Sequence, residues 1–233
     1  MVESTQAEEK GILMLKVVIY DSGYGGEDFA DKLEEELQTI EVIRIIDWRH
    51  AEAIQENAKE ARKYAEKALS PYIGKVDLII FANHLLTITS LKYFTQKYKN
   101  QKFTGLELEH PCAFVEREML ALTTKAVSKT IRYHSFIRQL KMNTKTLVLD
   151  SWPIRIDDGD LTITEIKEKM QREVLNYDFH PKGIIIACSQ FNDIVPELKN
   201  VFGKSVKIYN GYRDVFSNVY KLLHLKGGTC KRR

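Results

Sequence analysis

Short runs of apolar residues that end in small polar side chains recur along the chain, and amphipathic segments separate them. One run, Ile184–Ala187, is followed directly by Cys188, Ser189 and Gln190. A second run lies within Val76–Thr87 and ends in Ala82, Asn83 and His84. Short runs rich in β-branched residues are typical of strands buried on both faces of a parallel sheet. Ligands bind such sheets at the carboxyl ends of the strands, so these polar residues are candidates for a site.

A second pair of segments repeats this pattern. Lys16–Gly23 and Lys145–Pro153 are lysine-led apolar runs, and each ends in Asp-Ser. We interpret the two pairs as an internal duplication that produces two similar α/β halves. A cleft between the halves would then collect the polar strand ends, which are Asp21, Ser22, Ala82, Asn83, His84, Asp150, Ser151, Cys188, Ser189 and Gln190.

Between these runs, the spacing of apolar residues predicts alternating helices and strands, the pattern of parallel α/β layers. The other predicted strands are Leu15–Tyr20, Glu41–Ile46, Phe103–Leu108, Leu147–Asp150 and Ser205–Tyr209. The predicted helices include Glu27–Gln38, Ala51–Ser70, Cys112–Leu122, Thr123–Leu140, Thr162–Leu175 and Gly211–Leu225. The glycine-rich turn after Asp21 has the spacing G-x-G-G and no P-loop lysine follows it, which argues against a nucleotide.

Composition narrows the functional class. The 233 residues are 44% hydrophobic and 29% charged, as in ordinary globular proteins. A net charge of +3, with basic residues dispersed, argues against nucleic acid as a partner. Three cysteines without framework or C-x-x-C spacing argue against a disulfide scaffold and a zinc site. The polar N-terminus and the absence of a long apolar run predict a cytoplasmic protein with no membrane partner.

Five motifs resemble those of the aspartate/glutamate racemases, and of glutamate racemase in particular. The turn at Asp21–Gly26 resembles the family's D-S-G-x-G-G, and Val76–His84 resembles its strand ending A-C-N-T. Leu122–Tyr133 is similar to its A-T-x-x-T segment, with Thr124 at the first threonine. The remaining matches are Ile186–Phe191 with G-C-T-H, and the loop 151–159, in which Asp157 is the best candidate for an acidic helper. The motifs follow the family's order along nearly the whole chain.

This resemblance implies two pseudo-symmetric α/β domains facing a central cleft, formed by residues 1–103 with 208–233 and by residues 104–207. It also implies cofactor-independent proton transfer at the Cα of a small carboxylate or acidic amino acid, without a metal, and a homodimer. Catalytic roles would fall to Cys188, His84 and Asp21. Substrate binding would fall to Ser22, Asn83, Thr124, Ser189 and Asp157.

The chain departs from the family's motifs at the positions that carry out proton transfer. The racemases use two cysteines on opposite faces of Cα, and the motif match places Ala82 where the first would stand. A methyl group carries no exchangeable proton. His84 and Gln190 replace a threonine and a histidine, and Asp47–His50 occupies the region of the family's P-Y-G loop.

Three interpretations therefore stay open. In the first, the protein is an isomerase in which His84 replaces the missing acid/base and the helix after Cys188 lowers the pKa of its thiol. A variant of this interpretation is a decarboxylase-like enzyme that works with one cysteine. Alternatively, it is an inactive racemase homologue that binds an acidic metabolite, or one kept for a protein partner. Single residues also have structural explanations instead of functional ones. Asp21 and Ser22 would cap a turn and a helix, His84 would be a buried core histidine, and Asp157 would belong to a solvated loop.

Overall fold

The computed structural model describes residues 14–108 and 114–225. The polar N-terminus and two of the three cysteines, Cys112 and Cys230, lie outside these ranges, so the structure does not describe them.

Two four-stranded parallel sheets with the same strand order form the framework. The first contains β1 (Leu15–Asp21), β2 (Ile40–Ile46), β3 (Leu78–Phe81) and β4 (Phe103–Gly105), in the order β2-β1-β3-β4. The second contains β5 (Glu118–Thr123), β6 (Asn143–Val148), β7 (Gly183–Ile186) and β8 (Lys207–Tyr209), in the order β6-β5-β7-β8. The predicted fold class, a pair of pseudo-symmetric parallel α/β halves, is confirmed.

Helices cover both faces of each sheet. Their bounds are α1 (Gly25–Glu36), α2 (Ala51–Glu56), α3 (Ala58–Leu69), α4 (His84–Lys97), α5 (Lys125–Ser128), α6 (Ile131–Leu140), α7 (Trp152–Asp157), α8 (Ile163–Glu173), α9 (Val195–Phe202) and α10 (Tyr212–Leu222). Short 3₁₀ turns lie at Trp48–His50, Leu175–Tyr177 and Ser189–Asn192. In the first half, α1 and α10 pack on the face that carries Val17 and Ile19, and α3 and α4 pack on the opposite face.

The prediction of a helix at Cys112–Leu122 is wrong within the described residues, because Glu118–Thr123 forms the strand β5. This strand lies inside the second sheet between β6 and β7, and Met119–Thr123 is fully buried. A short apolar run buried on all sides has no polar face to reveal its period, so its pattern does not separate a strand from a helix. The predicted helix Ala51–Ser70 is interrupted at Asn57, whose side chain accepts from Lys59 N (2.8 Å) and caps α3.

The two Asp-Ser strand ends are not equivalent, so the sequence paired the wrong strands of the two similar halves. Asp21 ends β1, inside the first sheet, whereas Asp150 follows β6, at the edge of the second. The counterpart of β1 is β5, which ends at Thr123 and is followed by Thr124. Asp150 and Ser151 are exposed, and the Asp150 carboxylate accepts from Lys125 N (3.0 Å) instead of entering the cleft.

The last helix returns to the first half of the chain. Val215 and Val219 of α10 belong to the same buried cluster as Val17, and the Tyr212 ring packs edge-on against Phe29 at 5.1 Å. The exact domain boundaries stay a prediction.

Candidate active site

The carboxyl ends of β1 and β3 in the first half meet those of β5 and β7 in the second. Between them lies a cavity of about 10 Å³, room for one water molecule. Its lining residues are Gln55, Asn83, His84, Leu85, Thr124, Val127, Ala187, Cys188 and Ser189. The cleft is therefore narrow, and a ligand of amino-acid size fits only if its walls move apart.

Asp21 is the fully buried centre of a hydrogen-bond network that joins the two halves. Its Oδ1 accepts from Ser22 N (2.6 Å) and from Asn83 Nδ2 (3.1 Å). Its Oδ2 lies 2.7 Å from the Ser189 hydroxyl of the other half. The Asn83 amide also donates to Ser22 Oγ (3.1 Å). These contacts hold the carboxylate rigidly at the edge of the cavity.

Burial raises the pKa of Asp21 from its usual 3.8 to about 7, although its three hydrogen-bond donors oppose the shift. Removal from water disfavours the charged form, and the nearby Asp157 carboxylate adds repulsion. Asp21 therefore changes charge near neutral pH.

Cys188 is buried beside this network. Its Sγ donates to Gln190 Oε1 at 3.0 Å. Burial, followed by repulsion from Asp21, raises the Cys188 pKa well above its usual value. The prediction that the following helix lowers this pKa is wrong: a short 3₁₀ turn follows, and its effect is smaller than the loss of hydration. In the closed cleft, Cys188 is held as a thiol.

Asp157 closes the cleft from the second half. Its Oδ2 accepts from Gln190 Nε2 (3.3 Å), and its Oδ1 accepts from Tyr24 N (3.1 Å) across the interface. Burial raises the Asp157 pKa to about 6. The close packing of the two halves beside Asp157 depends on Gly25, since a Cβ at this residue would lie 2.5 Å from the Ser189 carbonyl carbon.

His84 is buried at the start of α4, and burial lowers its pKa to about 4. Neither of its ring nitrogens has a hydrogen-bond partner among the described residues, and the same is true of Gln55 Nε2. Both side chains line the cavity. The imidazole is therefore neutral and unpaired.

Solved structures are similar to this chain, whereas no family model and no curated protein matches it. Glutamate racemase from Campylobacter jejuni superimposes with a TM-score of 0.73 at 20% identity, covering 89% of this chain and 85% of that one. Escherichia coli glutamate racemase, in complex with L-glutamate and the activator UDP-MurNAc-Ala, gives 0.74 at 18% identity, covering 91% and 83%. Aspartate racemase from Picrophilus torridus gives 0.58 at 15% identity, covering 89% and 93%.

The chain has the aspartate/glutamate racemase fold. The resemblance inferred from the motifs is confirmed at this level. In this racemase fold the cleft between the halves contains most of the sequence-predicted residues. Asn83, His84, Thr124, Cys188 and Ser189 line the cavity, and Asp21 and Ser22 are joined to its lining by hydrogen bonds. Asp157 is one step further away, because it bonds to Gln190, which in turn bonds to Cys188 and Ser189. Their catalytic and binding roles stay predictions.

Thr124 also acts as a helix cap within the racemase fold. Its hydroxyl accepts from Val127 N (3.4 Å) at the start of α5, and its side chain still borders the cavity. Ala82 is buried but does not line the cavity. The region that replaces the P-Y-G loop forms the 3₁₀ turn Trp48–His50, in which Trp48 is 64% exposed and His50 Nδ1 pairs with Asp47 Oδ1 at 2.7 Å.

Gln55 is the lining residue that the sequence did not reveal. It follows the buried Ile54 on α2 and carries no motif. Only the packing of α2 beside the cavity brings its amide to the site. Within the described ranges, no group of three His, Cys, Asp or Glu side chains is arranged to hold a metal ion. No helix in the described part of the chain is long and apolar enough to cross a membrane.

Proposed function

We propose that the cleft binds a small carboxylate of the amino-acid class and transfers a proton at its Cα from one face, through Cys188 and without a cofactor. The observation that carries this proposal is the buried Cys188 thiol at the end of β7, which faces Asn83 and His84 across a cavity where no second thiol lies among the described residues. The racemase fold supports the choice of reaction class.

On the Cys188 face, the thiol supplies a proton to a carbanionic Cα, and the thiolate takes it back in the reverse step. Forming the thiolate in the closed cleft is opposed by burial and by the negative charge of Asp21. Protonation of Asp21, whose pKa is about 7, removes that repulsion. The two groups therefore titrate as a coupled pair, and the charge of one controls the proton of the other.

Among the described residues that line the cavity, the opposite face offers no equivalent acid. The Asn83 amide does not titrate, and the His84 pKa of about 4 keeps the imidazole neutral and weakly basic. A proton removed and returned by Cys188 alone leaves the configuration at Cα unchanged. We therefore expect exchange of the Cα proton without inversion.

The test is Cα-proton exchange in D2O followed by NMR, with chiral analysis of the product. Both enantiomers of glutamate, aspartate, glutamine and asparagine are offered to the wild-type protein and to Cys188→Ala. Exchange with retention that disappears in Cys188→Ala supports the proposal. Exchange with inversion requires a second acid/base and makes His84 the first residue to replace. Absence of exchange, with a rise in melting temperature on adding ligand, indicates a binding protein. Absence of both effects favours the partner-protein interpretation.

A second candidate reaction has support from the protonation state of Cys188. A thiol held protonated beside a small cavity suits an enzyme that protonates a carbanion after CO2 has left. Such a decarboxylase needs no base on either face. Release of CO2 from a disubstituted malonate, absent in Cys188→Ala, distinguishes it from the proton-exchange enzyme.

We also propose a cytoplasmic location, a homodimer, and substrate contacts made by Ser22, Asn83, Thr124, Ser189 and Asp157.

A further inference from the structure

A chain of hydrogen bonds runs from the last helix to Ser189 at the cavity. The Asn192 side chain donates from Nδ2 to the Ser189 carbonyl oxygen (2.8 Å) and to the Tyr212 hydroxyl (3.2 Å). The Tyr212 hydroxyl in turn donates to Asp28 Oδ2 on α1 (2.9 Å). Asn192 lies in the second half, in the 3₁₀ turn after β7, whereas Tyr212 and Asp28 belong to helices that pack on the first sheet. The network therefore crosses the interface between the halves.

The Asn192 amide uses both its nitrogen and its oxygen in this network. Its Oδ1 accepts from Asn210 Nδ2 (2.8 Å), while its Nδ2 serves Ser189 and Tyr212. Asn210 Oδ1 also accepts from Tyr212 N (3.3 Å), which ties the first turn of α10 to the same group. Turning the amide over would set its oxygen against the Ser189 carbonyl oxygen, so only one orientation satisfies the partners.

Ser189 is held on its other side by the start of α1. A Cβ at Gly25 would lie 2.5 Å from the Ser189 carbonyl carbon and 2.6 Å from Ser189 Cβ, so the two segments pack without free space. The Ser189 hydroxyl has two acceptors within reach, Asp21 Oδ2 at 2.7 Å and Gln190 Oε1 at 3.1 Å. A hydroxyl has one hydrogen, so these acceptors compete for it. The position of the Ser189 backbone decides which acceptor is nearer.

The choice of acceptor matters for the charge of the cleft. Burial raises the pKa of Asp21, and the hydrogen bond from the Ser189 hydroxyl opposes this shift because it stabilises the carboxylate. Without that bond, the carboxyl would keep its proton to a higher pH. The other titratable groups that interact electrostatically with Asp21 are Asp157, Cys188, Tyr20 and Tyr212.

We propose that Asn192, held by Tyr212, is a positioning residue that directs the Ser189 hydroxyl to Asp21 instead of to Gln190. Neither Asn192 nor Tyr212 lines the cavity, so the last helix acts on the site only through Ser189. For the reaction, this inference rests on the proposed function, in which the charge of Asp21 controls the proton of Cys188.

The test follows the titration of Asp21 by carbon-13 NMR of protein labelled at the aspartate carboxyl carbons, with the signal assigned by its absence in Asp21→Asn. Ser189→Ala should raise the midpoint by about one pH unit, because a donor to the charged form is lost. Asn192→Leu should raise it by about half as much, because the hydroxyl is then shared between two acceptors. Asn176→Leu is the matched control: Asn176 is an exposed asparagine in the 3₁₀ turn Leu175–Tyr177, and its replacement should leave the midpoint unchanged.

A double variant separates positioning from a general loosening of the fold. If Asn192 acts through the Ser189 hydroxyl, Asn192→Leu should have no further effect on the midpoint in a Ser189→Ala background. Shifts that add, or a folded Asn192→Leu that titrates as the wild-type protein does, overturn the inference. Melting curves verify folding. If Asn192→Leu does not fold, Tyr212→Phe replaces it, because it removes the hydroxyl that holds Asn192. It should raise the midpoint by a smaller amount, and an unchanged midpoint overturns the inference.

Exchange kinetics distinguish failure of this inference from failure of the proposed function. In Asn192→Leu, the pH dependence of Cα-proton exchange should move to higher pH by the same amount as the NMR midpoint. A midpoint that moves while the exchange profile stays in place overturns the role of Asn192 in the reaction. If the wild-type protein exchanges none of the amino acids offered, the proposed function fails, and the titration of Asp21 alone decides whether Asn192 positions Ser189.

Discussion

Asn83 and Cys188 occupy equivalent positions in the two halves of the protein. Tyr20 pairs with Phe81 in the first sheet, and Leu122 pairs with Ile186 in the second. Asn83 and Cys188 each stand two residues beyond those paired strand ends, and each has extended backbone angles at the N-cap of the segment that follows. The register therefore makes Asn83 the counterpart of Cys188, one residue beyond the Ala82 position chosen from the motifs. Ala82 corresponds to Ala187.

This equivalence leads to a gain-of-function prediction. Asn83→Cys places a second thiol opposite Cys188, so the variant should invert Cα where the wild-type protein exchanges its proton with retention. Loss of the Asn83 cap on α4 should cost about 1 kcal/mol of stability. Chiral chromatography of the product after incubation in D2O measures inversion directly.

Ala82→Cys is the matched control for this prediction, since it adds the same thiol one residue earlier, where the side chain does not line the cavity. Inversion by Ala82→Cys, with none by Asn83→Cys, would show that the motif-based position is the functional one. In the double variant Asn83→Cys with Cys188→Ala, inversion should be absent again.

The raised pKa of Asp21 predicts a pH-dependent stability. A carboxyl whose pKa is about 7 in the folded protein and 3.8 when unfolded binds its proton more tightly in the folded state. Its contribution therefore stabilises the fold as pH falls below 7, is complete below about 4, and is lost as pH rises through 7. Between pH 8 and pH 5 the wild-type protein should gain about 2 kcal/mol relative to Asp21→Asn.

Urea unfolding at pH 5, 6, 7 and 8 measures this gain. Asp150→Asn is the control, because Asp150 is an exposed carboxyl outside the cleft, and its pH dependence should follow the wild-type protein. If the curves of wild type and Asp21→Asn run parallel from pH 5 to 8, the Asp21 carboxyl is not perturbed by burial.

The glycine turn predicts a steric effect on the interface. A Cβ at Gly25 would meet the Ser189 carbonyl carbon at 2.5 Å and Gln190 N at 2.7 Å, both of which are backbone atoms that cannot rotate away. Gly25→Ala should therefore push α1 from the 3₁₀ turn Ser189–Asn192 and lower the free energy of unfolding by about 1–3 kcal/mol. Glu35→Ala, on the exposed part of the same helix, should change it by less than about 0.5 kcal/mol. Equal effects from the two substitutions would argue against a close interface.

The sequence was informative where local pattern and chemistry coincide. Val17–Tyr20 and Ile184–Ile186 were recognisable as buried strands because their apolar runs are short, β-branched and bounded by polar residues. The carboxyl ends of these two strands and of the run within Val76–Thr87 then placed Asp21, Cys188 and Asn83 at the cleft.

The sequence was uninformative where contacts between distant segments determine the structure. Glu118–Thr123 has a pattern that fits helix and strand equally, and only pairing with β6 and β7 makes it a strand. Two Asp-Ser pairs looked like one repeat, yet strand order separates them. The direction of the Cys188 pKa shift was also missed, because burial in the core of the second half and the charge of Asp21 both arise from tertiary packing that no local motif encodes.

The coupling of Cys188 to Asp21 predicts a specific pattern of thiol reactivity. The thiolate is the reacting form, so a buried thiol with a raised pKa should react with iodoacetamide at pH 7.5 far more slowly than free cysteine. Asp21→Asn removes a negative charge that raises the Cys188 pKa, so alkylation should accelerate in this variant, most strongly above pH 7, where the wild-type Asp21 is ionised. Mass spectrometry of the peptide that contains Cys188 gives the rate and separates it from the other two cysteines. Asp150→Asn makes the same chemical change outside the cleft and should leave the rate unchanged. If Asp21→Asn also leaves it unchanged over the whole pH range, then access alone limits the reaction and the two groups do not titrate as a pair.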